Sequence, residues 1–404
     1  MTPNQSILSI QPRPPSRAAA ALFRLLESLR GGSLDLRLPD GASRVFGDGR
    51  PVASMQVGDL SLFDDVLASG DIGFAEAYID GHWDSPDLAS LLTLFASNRE
   101  SLSRAIYGNF LSLLAARMRH LLNSNTRRGS RRNIMAHYDL GNAFYRQWLD
   151  PTMSYSAAVF SSDADRSLAS AQLAKYRRIL RKLGVRPGDR ILEIGCGWGG
   201  FAETAAREAG AFVHGVTLSP AQLEWAEERM RVAGLDDRVT LSLTDYRDLN
   251  GQYDHIVSIE MFEAVGERWW PGYFSALSRL LVPGGRAMIQ TITIRDDLFA
   301  RYRRGTDFIQ QHVFPGGMLP SPGVFGREAG RAGFEVADAF AFGRDYARTL
   351  AAWLSAFEQA WPELASQGFD ERFRRLWRFY LAYCEAGFRS GCTDVYQFEL
   401  VRKE

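Results

Sequence analysis

One stretch, residues 190–200 with the sequence RILEIGCGWGG, constrains the fold of this chain more than any other. It begins as an apolar strand and then runs through closely spaced glycines into the helical pattern FAETAAREAG. Glycine lets the backbone adopt positive φ angles and approach a ligand closely. The N-terminus of the following helix presents unpaired N–H groups to an anionic group. The stretch therefore predicts a strand, a tight turn and a helix that together bind a ligand.

Strand and helix patterns alternate on both sides of this unit. The strands read AFVHGVTLS, RVTLSLTDY, YDHIVSIEMFEAVG and GRAMIQTITI, and the helices read LASAQLAKYRRILRKLG, PAQLEWAEERMRVAG and YFSALSRLL. This alternation predicts an α/β fold with a doubly wound parallel sheet. Two further strands, EVADAFAFG and DVYQFELVR, flank an aromatic-rich helical insertion at about residues 345–390.

The N-terminal part of the chain follows a different pattern. A helix over residues 18–30, short strands as far as Val57 and several further helices predict a small domain at 1–125, before a catalytic domain at 126–404. The segment NSNTRRGSRRN at 123–133 reads as a linker with four arginines. It is either a solvated connector or a contact for anionic lipid headgroups.

Composition narrows the classes of function. Lys+Arg and Asp+Glu both number 47 in 404 residues, and this zero net charge argues against a nucleic-acid binder. The three cysteines predict no disulfide framework and no metal site, which suits a reducing cytoplasm. The N-terminus lacks the pattern of a signal peptide, and no apolar run is long enough to span a membrane. We therefore expect any membrane contact to be peripheral.

The glycine-rich stretch points to a particular cofactor. Its spacing, E-x-G-x-G-x-G, resembles motif I of class I S-adenosylmethionine (SAM) methyltransferases, with a nicotinamide dinucleotide as the alternative. The cofactor-binding residues predicted from this motif are Glu193, Gly195, Gly197 and Gly199.

Two later strands supply the other predicted cofactor contacts. The third strand ends in Thr244-Asp245-Tyr246, where such methyltransferases hold the adenine, although Asp245 alone would read as a helix cap. The second strand ends in VTLS and not in the usual acidic residue that binds the ribose. Thr217, Ser219 and Gln222 are therefore the predicted contacts on that side.

Three separated stretches extend the resemblance to one family. They are HYDLGNAFYRQWLDPTMSYSAAVF, SIEMFEAVG and DFIQQHVFPGGMLPS. Together they resemble the cyclopropane-fatty-acyl-phospholipid synthases and mycolic acid cyclopropane synthases, from about Arg131 to the C-terminus and more weakly before it. The resemblance implies a SAM-dependent enzyme that converts a cis double bond of a phospholipid acyl chain into a cyclopropane ring. It also implies a cytoplasmic enzyme at the inner face of the membrane, with an N-terminal domain that binds lipid or forms a homodimer.

The chemistry of an alkene explains the aromatic composition. Methyl transfer to a double bond leaves a carbocation, which water would quench and which aromatic rings stabilise by about 0.5–2 kcal/mol each. The candidates are the Phe and Tyr residues of the 137–160 segment with Phe308, Phe314, Tyr346 and Trp353, and ordinary core packing is the alternative. By resemblance, Tyr155 and Ser156 cover the amino-acid end of SAM as a lid.

The last step of ring closure removes a proton, which the family assigns to a bound bicarbonate. The resemblance places Glu263, Tyr346 and Ile292 at three positions of the bicarbonate site. The chain departs from the family at two others, with Gln290 in place of a histidine and Ala157 in place of a cysteine. Cys384 matches a cysteine of the bacterial synthases, where a structural thiol is the alternative role.

These departures leave the product open between ring closure and simple C-methylation. A neutral glutamine attracts an anion less than a histidine cation does, although it still donates a hydrogen bond. Alternatively Glu263 takes the proton itself, or a hydride shift gives a methyl-branched or methylene chain without a ring. A small-molecule methyltransferase and a SAM-sensing or lipid-carrier protein are the competing classes of function.

Overall fold

The computed structural model describes residues 16–103, 140–160 and 167–403, and the chain divides into two compact units, Met1–Leu113 and Leu114–Glu404. The predicted domain boundary between 125 and 126 and the arginine-rich linker at 123–133 lie outside the described residues. Both stay predictions. No described helix is long and apolar enough to cross a membrane.

The first unit combines a small sheet with helices. Its strands are β1 (Ser33–Arg37), β2 (Ser43–Gly47), β3 (Val52–Val57) and β4 (Trp83–Asp84), in the order β2-β1-β3-β4. Its described helices are α1 (Arg17–Leu26), α2 (Leu62–Ser69), α3 (Asp71–Ile79) and α4 (Leu88–Ser97). Ala53, Met55 and Val57 are buried, because alternate residues of a strand face the same side of the sheet.

The second unit contains the predicted large sheet. Its strands are β5 (Arg190–Ile194), β6 (Phe212–Thr217), β7 (Val239–Leu243), β8 (Tyr253–Ile259), β9 (Leu281–Ile294), β10 (Phe334–Ala341) and β11 (Thr393–Arg402), in the order β10-β11-β9-β8-β5-β6-β7. The strands from β9 to β7 are parallel, which confirms the α/β fold. The further strand β11 runs antiparallel to both of its neighbours, so the sheet is mostly parallel.

Helices cover this sheet and follow its strands. They are α5 (Gly141–Arg146), α6 (Leu168–Leu183), α7 (Gly200–Ala209), α8 (Pro220–Ala233), α9 (Trp270–Leu280), α10 (Asp296–Tyr302), α11 (Phe308–His312), α12 (Pro322–Arg331), α13 (Gly343–Ser366) and α14 (Glu371–Arg389). Sequence explains several boundaries: α6 begins after the capping hydroxyl of Ser167 and ends at Gly184, whose left-handed conformation suits glycine. The predicted aromatic insertion is the pair α13 and α14.

The topology sets the place of the site. The chain reverses its direction of winding at β5, since β6 and β7 lie on one side of it and β8 and β9 on the other. Open α/β sheets bind ligands at the carboxyl ends of the strands where this reversal occurs. The turn after β5 and the segment after β8 therefore meet at one crevice.

Candidate active site

The glycine-rich turn after β5 is drawn tightly against its surroundings. Gly195 has a φ of +84°, and a Cβ atom there would lie 3.0 Å from Cγ of Met261. The left-handed conformation is costly for other residues, and a side chain here would also have to displace Met261. Gly195 therefore provides the positive φ and the close backbone approach that the sequence predicts for this turn.

A cavity opens beside this turn at the carboxyl ends of the strands. Nine of the eleven predicted cofactor residues line it: Tyr155, Ser156, Glu193, Gly195, Gly197, Thr217, Gln222, Asp245 and Tyr246. The other two have local roles, because Gly199 precedes α7 and the Ser219 hydroxyl accepts a hydrogen bond from the Gln222 amide as the cap of α8. Residues from four loops of the chain thus converge on one cavity.

Asp245 caps a short helix, and its contact with adenine stays a prediction. Its carboxylate accepts hydrogen bonds from the amide and the guanidinium of Arg247 and caps a short 3-10 helix over residues 246–248. It also lines the cavity beside Tyr246. Elsewhere in the cavity lining, the Thr217 hydroxyl donates to Oε1 of Gln222 at 3.0 Å.

Glu193 carries an acceptor that fits a cationic ligand. It is buried, and burial raises its pKa well above the ordinary value of 4.5. The Ala202 amide donates to the carboxylate, while Oε2 has no hydrogen-bond partner among the described residues. Such an acceptor on a cavity wall suits a ligand that brings an N–H donor, and the ammonium group of SAM is one.

The lid segment that contains Tyr155 and Ser156 is fastened to α6. Lys175 donates from Nζ to Oγ of Ser156 at 2.5 Å, and Gln172 donates to the Ser156 carbonyl at 2.9 Å. Burial lowers the pKa of Lys175 to about 8. The Tyr155 hydroxyl is hydrogen-bonded to that of Tyr380 at 2.7 Å. The lid is therefore held from two sides of the cavity.

A carboxylate that the sequence did not single out lies at the centre of the site. Glu260 follows β8 and lines the cavity. Its Oε1 accepts hydrogen bonds from the amide of Ala157 and from Nε2 of Gln290, both at 2.8 Å. Its Oε2 accepts from the Tyr346 hydroxyl at 2.7 Å. Three separated segments thus deliver their donors to one carboxylate.

These contacts give three donors of the predicted bicarbonate site another partner. The donors that resemblance assigned to the anion, at Ala157, Gln290 and Tyr346, are already paired with Glu260. Glu263 does not join them; it accepts a hydrogen bond from the Ile292 amide instead. The described residues do not fit a bicarbonate ion at these donors. Glu260 was missed, although an acidic residue directly after a parallel strand was the available signal.

Glu260 and Glu263 differ in the groups that shift their pKa values. Burial and the neighbouring charge of Glu260 raise the pKa of Glu263 to about 8. Burial also raises the pKa of Glu260, but Lys175 and the three hydrogen-bond donors act in the opposite direction. Two carboxyl groups this close do not both ionise readily. With a pKa of about 8, Glu263 holds its proton near neutral pH.

A chain of hydrogen bonds sets the orientation of the Gln290 amide. The Arg178 guanidinium, which can only donate, bonds Oε1 of Gln397 at 2.5 Å. This leaves the Gln397 amide nitrogen to donate to Oε1 of Gln290 at 3.0 Å. Nε2 of Gln290 is then directed at Glu260. The register of β9 and β11 places Gln290 directly opposite Gln397, which brings the two amides together.

The four aromatic candidates outside the lid segment pack against other rings, and their role toward a cation stays a prediction. Tyr346 packs against Phe388 with ring centroids 4.4 Å apart, and Trp353 packs against Tyr155 at 5.2 Å. Phe308, the first residue of α11, and Phe314, which follows this helix, pack against α14: Phe308 contacts Phe379 at 4.9 Å and Phe314 contacts Tyr380 at 6.1 Å.

Cys384 lies on α14 in this aromatic surrounding. Burial raises the pKa of its thiol well above the ordinary value, and its charge when ionised would raise the pKa of Tyr346. A neutral thiol near Tyr346 agrees with the structural alternative for this residue.

Comparison with known proteins supports the cofactor and the fold. The family model described as mycolic acid cyclopropane synthetase matches residues 125–398. A tuberculostearic acid methyltransferase from Mycobacterium tuberculosis is 41% identical over 97% of this chain and 94% of its own length. A cyclopropane-fatty-acyl-phospholipid synthase from Escherichia coli is 38% identical over 87% of this chain and 88% of its own length.

A solved structure agrees with these relatives. The mycolic acid cyclopropane synthase CmaA1, determined in complex with SAH and CTAB, superposes with a TM-score of 0.63 at 33% identity and covers 67% of this chain and 98% of its own. The α/β fold described above agrees with this superposition. The chain belongs to the mycolic acid cyclopropane synthetase family and is a SAM-dependent methyltransferase.

Proposed function

We propose that the enzyme transfers the methyl group of SAM to the cis double bond of an unsaturated phospholipid acyl chain and releases a methylene or methyl-branched unsaturated chain without a ring. One observation carries the choice of product: the donors expected to bind bicarbonate hold the Glu260 carboxylate instead. The base at this site is therefore of a different kind from that of the bicarbonate-dependent pattern. The relative named as a tuberculostearic acid methyltransferase, which matches nearly the whole chain, supports methylation.

The residues of the cavity would hold the cofactor in a defined orientation. SAM, when bound, supplies an electrophilic methyl group. Tyr155, Ser156 and Glu193 would contact its amino-acid end, and Asp245 and Tyr246 its adenine. The lid, fastened by Lys175, would exclude water from the reacting atoms.

The lipid supplies the electrons for the new bond. The π pair of the double bond forms the carbon–carbon bond to the methyl group, and the adjacent carbon is left as a cation. The rings around Tyr346 and Trp353 and the negative charge of Glu260 would stabilise this cation.

The fate of the cation determines the product. Migration of a hydride from the methylated carbon to its neighbour moves the cation onto the branched carbon. Loss of a proton from the methyl group then turns a C–H pair into the second bond of a methylene group. Atoms and electrons balance without a reductant.

Ring closure is the second candidate. It differs only in that the proton leaves before the hydride migrates, so that the C–H pair forms the third side of a ring. The relative named cyclopropane-fatty-acyl-phospholipid synthase favours it, as does Tyr346 at its family position.

Product analysis separates these outcomes. The enzyme would be incubated with SAM and with vesicles of phospholipids that carry cis-unsaturated chains, and the fatty acids would be analysed by mass spectrometry before and after hydrogenation of their double bonds. We expect a chain that is one CH2 heavier and still takes up hydrogen. A chain of the same mass that resists hydrogenation at ring-preserving pressure would establish the ring, and no change with any lipid would refute both.

We also propose peripheral contact with the membrane and a homodimer, each from the family resemblance. The lipid substrate requires access to a bilayer surface, and no described helix spans one. Sedimentation with anionic and neutral vesicles tests the contact: binding should weaken with salt if the arginines at 123–133 take part. Analytical ultracentrifugation tests the dimer.

A further inference from the structure

The backbone at Glu260 is unusual for a residue with a side chain. Its φ angle is +51°, in the left-handed region, and Glu260 and Met153 are the two non-glycine residues with positive φ in the described part of the chain. Glycine adopts this conformation without a penalty. A glutamate in a strained conformation beside a ligand cavity points to a functional role for its side chain.

The hydrogen bonds of Glu260 leave one of its oxygens able to react. A carboxylate oxygen offers about two lone pairs to hydrogen-bond donors. Oε1 receives two donors, from Ala157 and Gln290, whereas Oε2 receives the Tyr346 hydroxyl. The remaining lone pair of Oε2 is the place for an incoming proton.

We propose that Glu260 is the catalytic base of this enzyme and replaces the bicarbonate ion with a carboxylate that belongs to the chain. The inference rests on the proposed function, since it assigns the proton that the methylated lipid loses. That proton moves to Oε2 of Glu260, and the electron pair of the broken C–H bond stays on the lipid as the new carbon–carbon bond. The protonated carboxyl group then releases its proton to solvent as product leaves.

The neighbours of Glu260 suit a carboxylate that is ionised before the proton transfer. Lys175 provides a compensating cation, and Glu263 is the nearby acid that holds a proton. Gln290 donates one hydrogen bond in an orientation that Arg178 and Gln397 determine. A neutral donor is sufficient here, because the anion is attached to the chain and need not be attracted from solution.

Removal of the side chain tests the proposal by chemical rescue. Glu260→Gly suits the local backbone, so folding should survive, and it exposes the donors of Ala157, Gln290 and Tyr346 around a carboxylate-sized space. We expect turnover to fall by at least about 100-fold, in the range reported for the loss of a general base. Added bicarbonate or formate should restore it by at least about 10-fold. Glu260→Gln fills the same space without a base, so it should be inactive and insensitive to both anions.

Anion binding provides a readout that does not depend on product. Bicarbonate should raise the unfolding temperature of Glu260→Gly and leave that of the original enzyme unchanged. Glu399→Gln is the matched control, because Glu399 is a buried carboxylate that pairs with Arg286 instead of facing the cavity. It should retain activity and show no response to bicarbonate.

The outcomes separate the two proposals. If Glu260→Gly binds the anion but neither the original enzyme nor any variant forms a lipid product, the lipid reaction is refuted. The anion site at the donors of Ala157, Gln290 and Tyr346 would still stand. Product from the original enzyme together with nearly full turnover of Glu260→Gly or Glu260→Gln in anion-free buffer would refute Glu260 as the base.

Discussion

The glycine-rich turn and the Glu260 centre lie side by side, but they arise from the sequence in different ways. The turn is made by consecutive residues, 193–200, whose backbone angles follow from glycine itself. The Glu260 centre takes its donors from Ala157, Gln290 and Tyr346, which are up to 189 positions apart in the chain and meet only in the folded sheet. The conformation of the turn is thus encoded locally, whereas the Glu260 centre depends on tertiary structure. Substitutions at the turn should lower stability and SAM affinity, whereas substitutions at the Glu260 centre should lower turnover.

The largest loss is expected at the turn. Gly195→Ala places a Cβ atom 3.0 Å from the Met261 side chain at a φ of +84°. Strain and overpacking together should cost about 2–4 kcal/mol of stability and weaken SAM binding. Thermal unfolding and calorimetric titration with SAM measure both effects.

Gly234→Ala is the matched control for this substitution. Gly234 also has a positive φ, of +65°, but no atom lies within 4 Å of its Cβ position. It should lose only about 1–2 kcal/mol from the backbone conformation and keep its affinity for SAM. Equal losses for the two variants would show that the close approach to Met261 does not matter.

Tyr346→Phe should affect chemistry and spare the cofactor. It removes a hydrogen bond to a charged oxygen, which is worth about 1.5–3 kcal/mol, so kcat should fall by roughly 10–100-fold at unchanged SAM affinity. Tyr380→Phe removes a bond between two neutral hydroxyls and should cost less than about 10-fold. A larger loss at Tyr380 would contradict the charged role of Glu260.

The amide chain predicts a smaller effect with a distinctive order. Gln397→Leu removes the donor that orients Gln290 and should reduce kcat by about 3–10-fold. Gln397→Glu presents acceptors on both sides, so Gln290 should rotate and direct its oxygen at Glu260. The glutamate variant should therefore be the slower one in steady-state assays. If Gln397→Leu were slower than Gln397→Glu, the chain from Arg178 through Gln397 would not set the orientation of the Gln290 amide.

The smallest effect concerns pH and stability. The folded pKa of Glu263, about 8, exceeds its ordinary value of 4.5, so the native state binds the proton more tightly. The stabilisation is complete below pH 4.5 and is lost progressively as pH rises through about 8. Glu263→Gln lacks this loss, and its unfolding free energy relative to the original should rise by at least about 1 kcal/mol across that window in denaturant titrations. If the unfolding free energies of the two proteins changed with pH in parallel, Glu263 would not be the group that holds the proton.

Local patterns predicted much of this molecule. The strand and helix alternation gave the sheet, and nine of the eleven predicted cofactor residues line the cavity. The direction of β11 was not predictable, because alternating apolar residues look alike in parallel and antiparallel strands. Glu260 was missed since neither its positive φ nor the three donors around it can be seen in SIEMFEAVG. Glu263, three positions later, matched the glutamate of the family motif, so the catalytic role was predicted for Glu263 and not for Glu260.

The bicarbonate dependence of the unmodified enzyme tests the central claim most directly. Turnover of SAM with unsaturated phospholipid vesicles would be measured in buffer freed of carbon dioxide and then with increasing bicarbonate at constant pH and ionic strength. Because Glu260 already occupies the donors of Ala157, Gln290 and Tyr346, turnover should be the same at every concentration. A rate that is low without bicarbonate and rises to saturation with it would contradict the account.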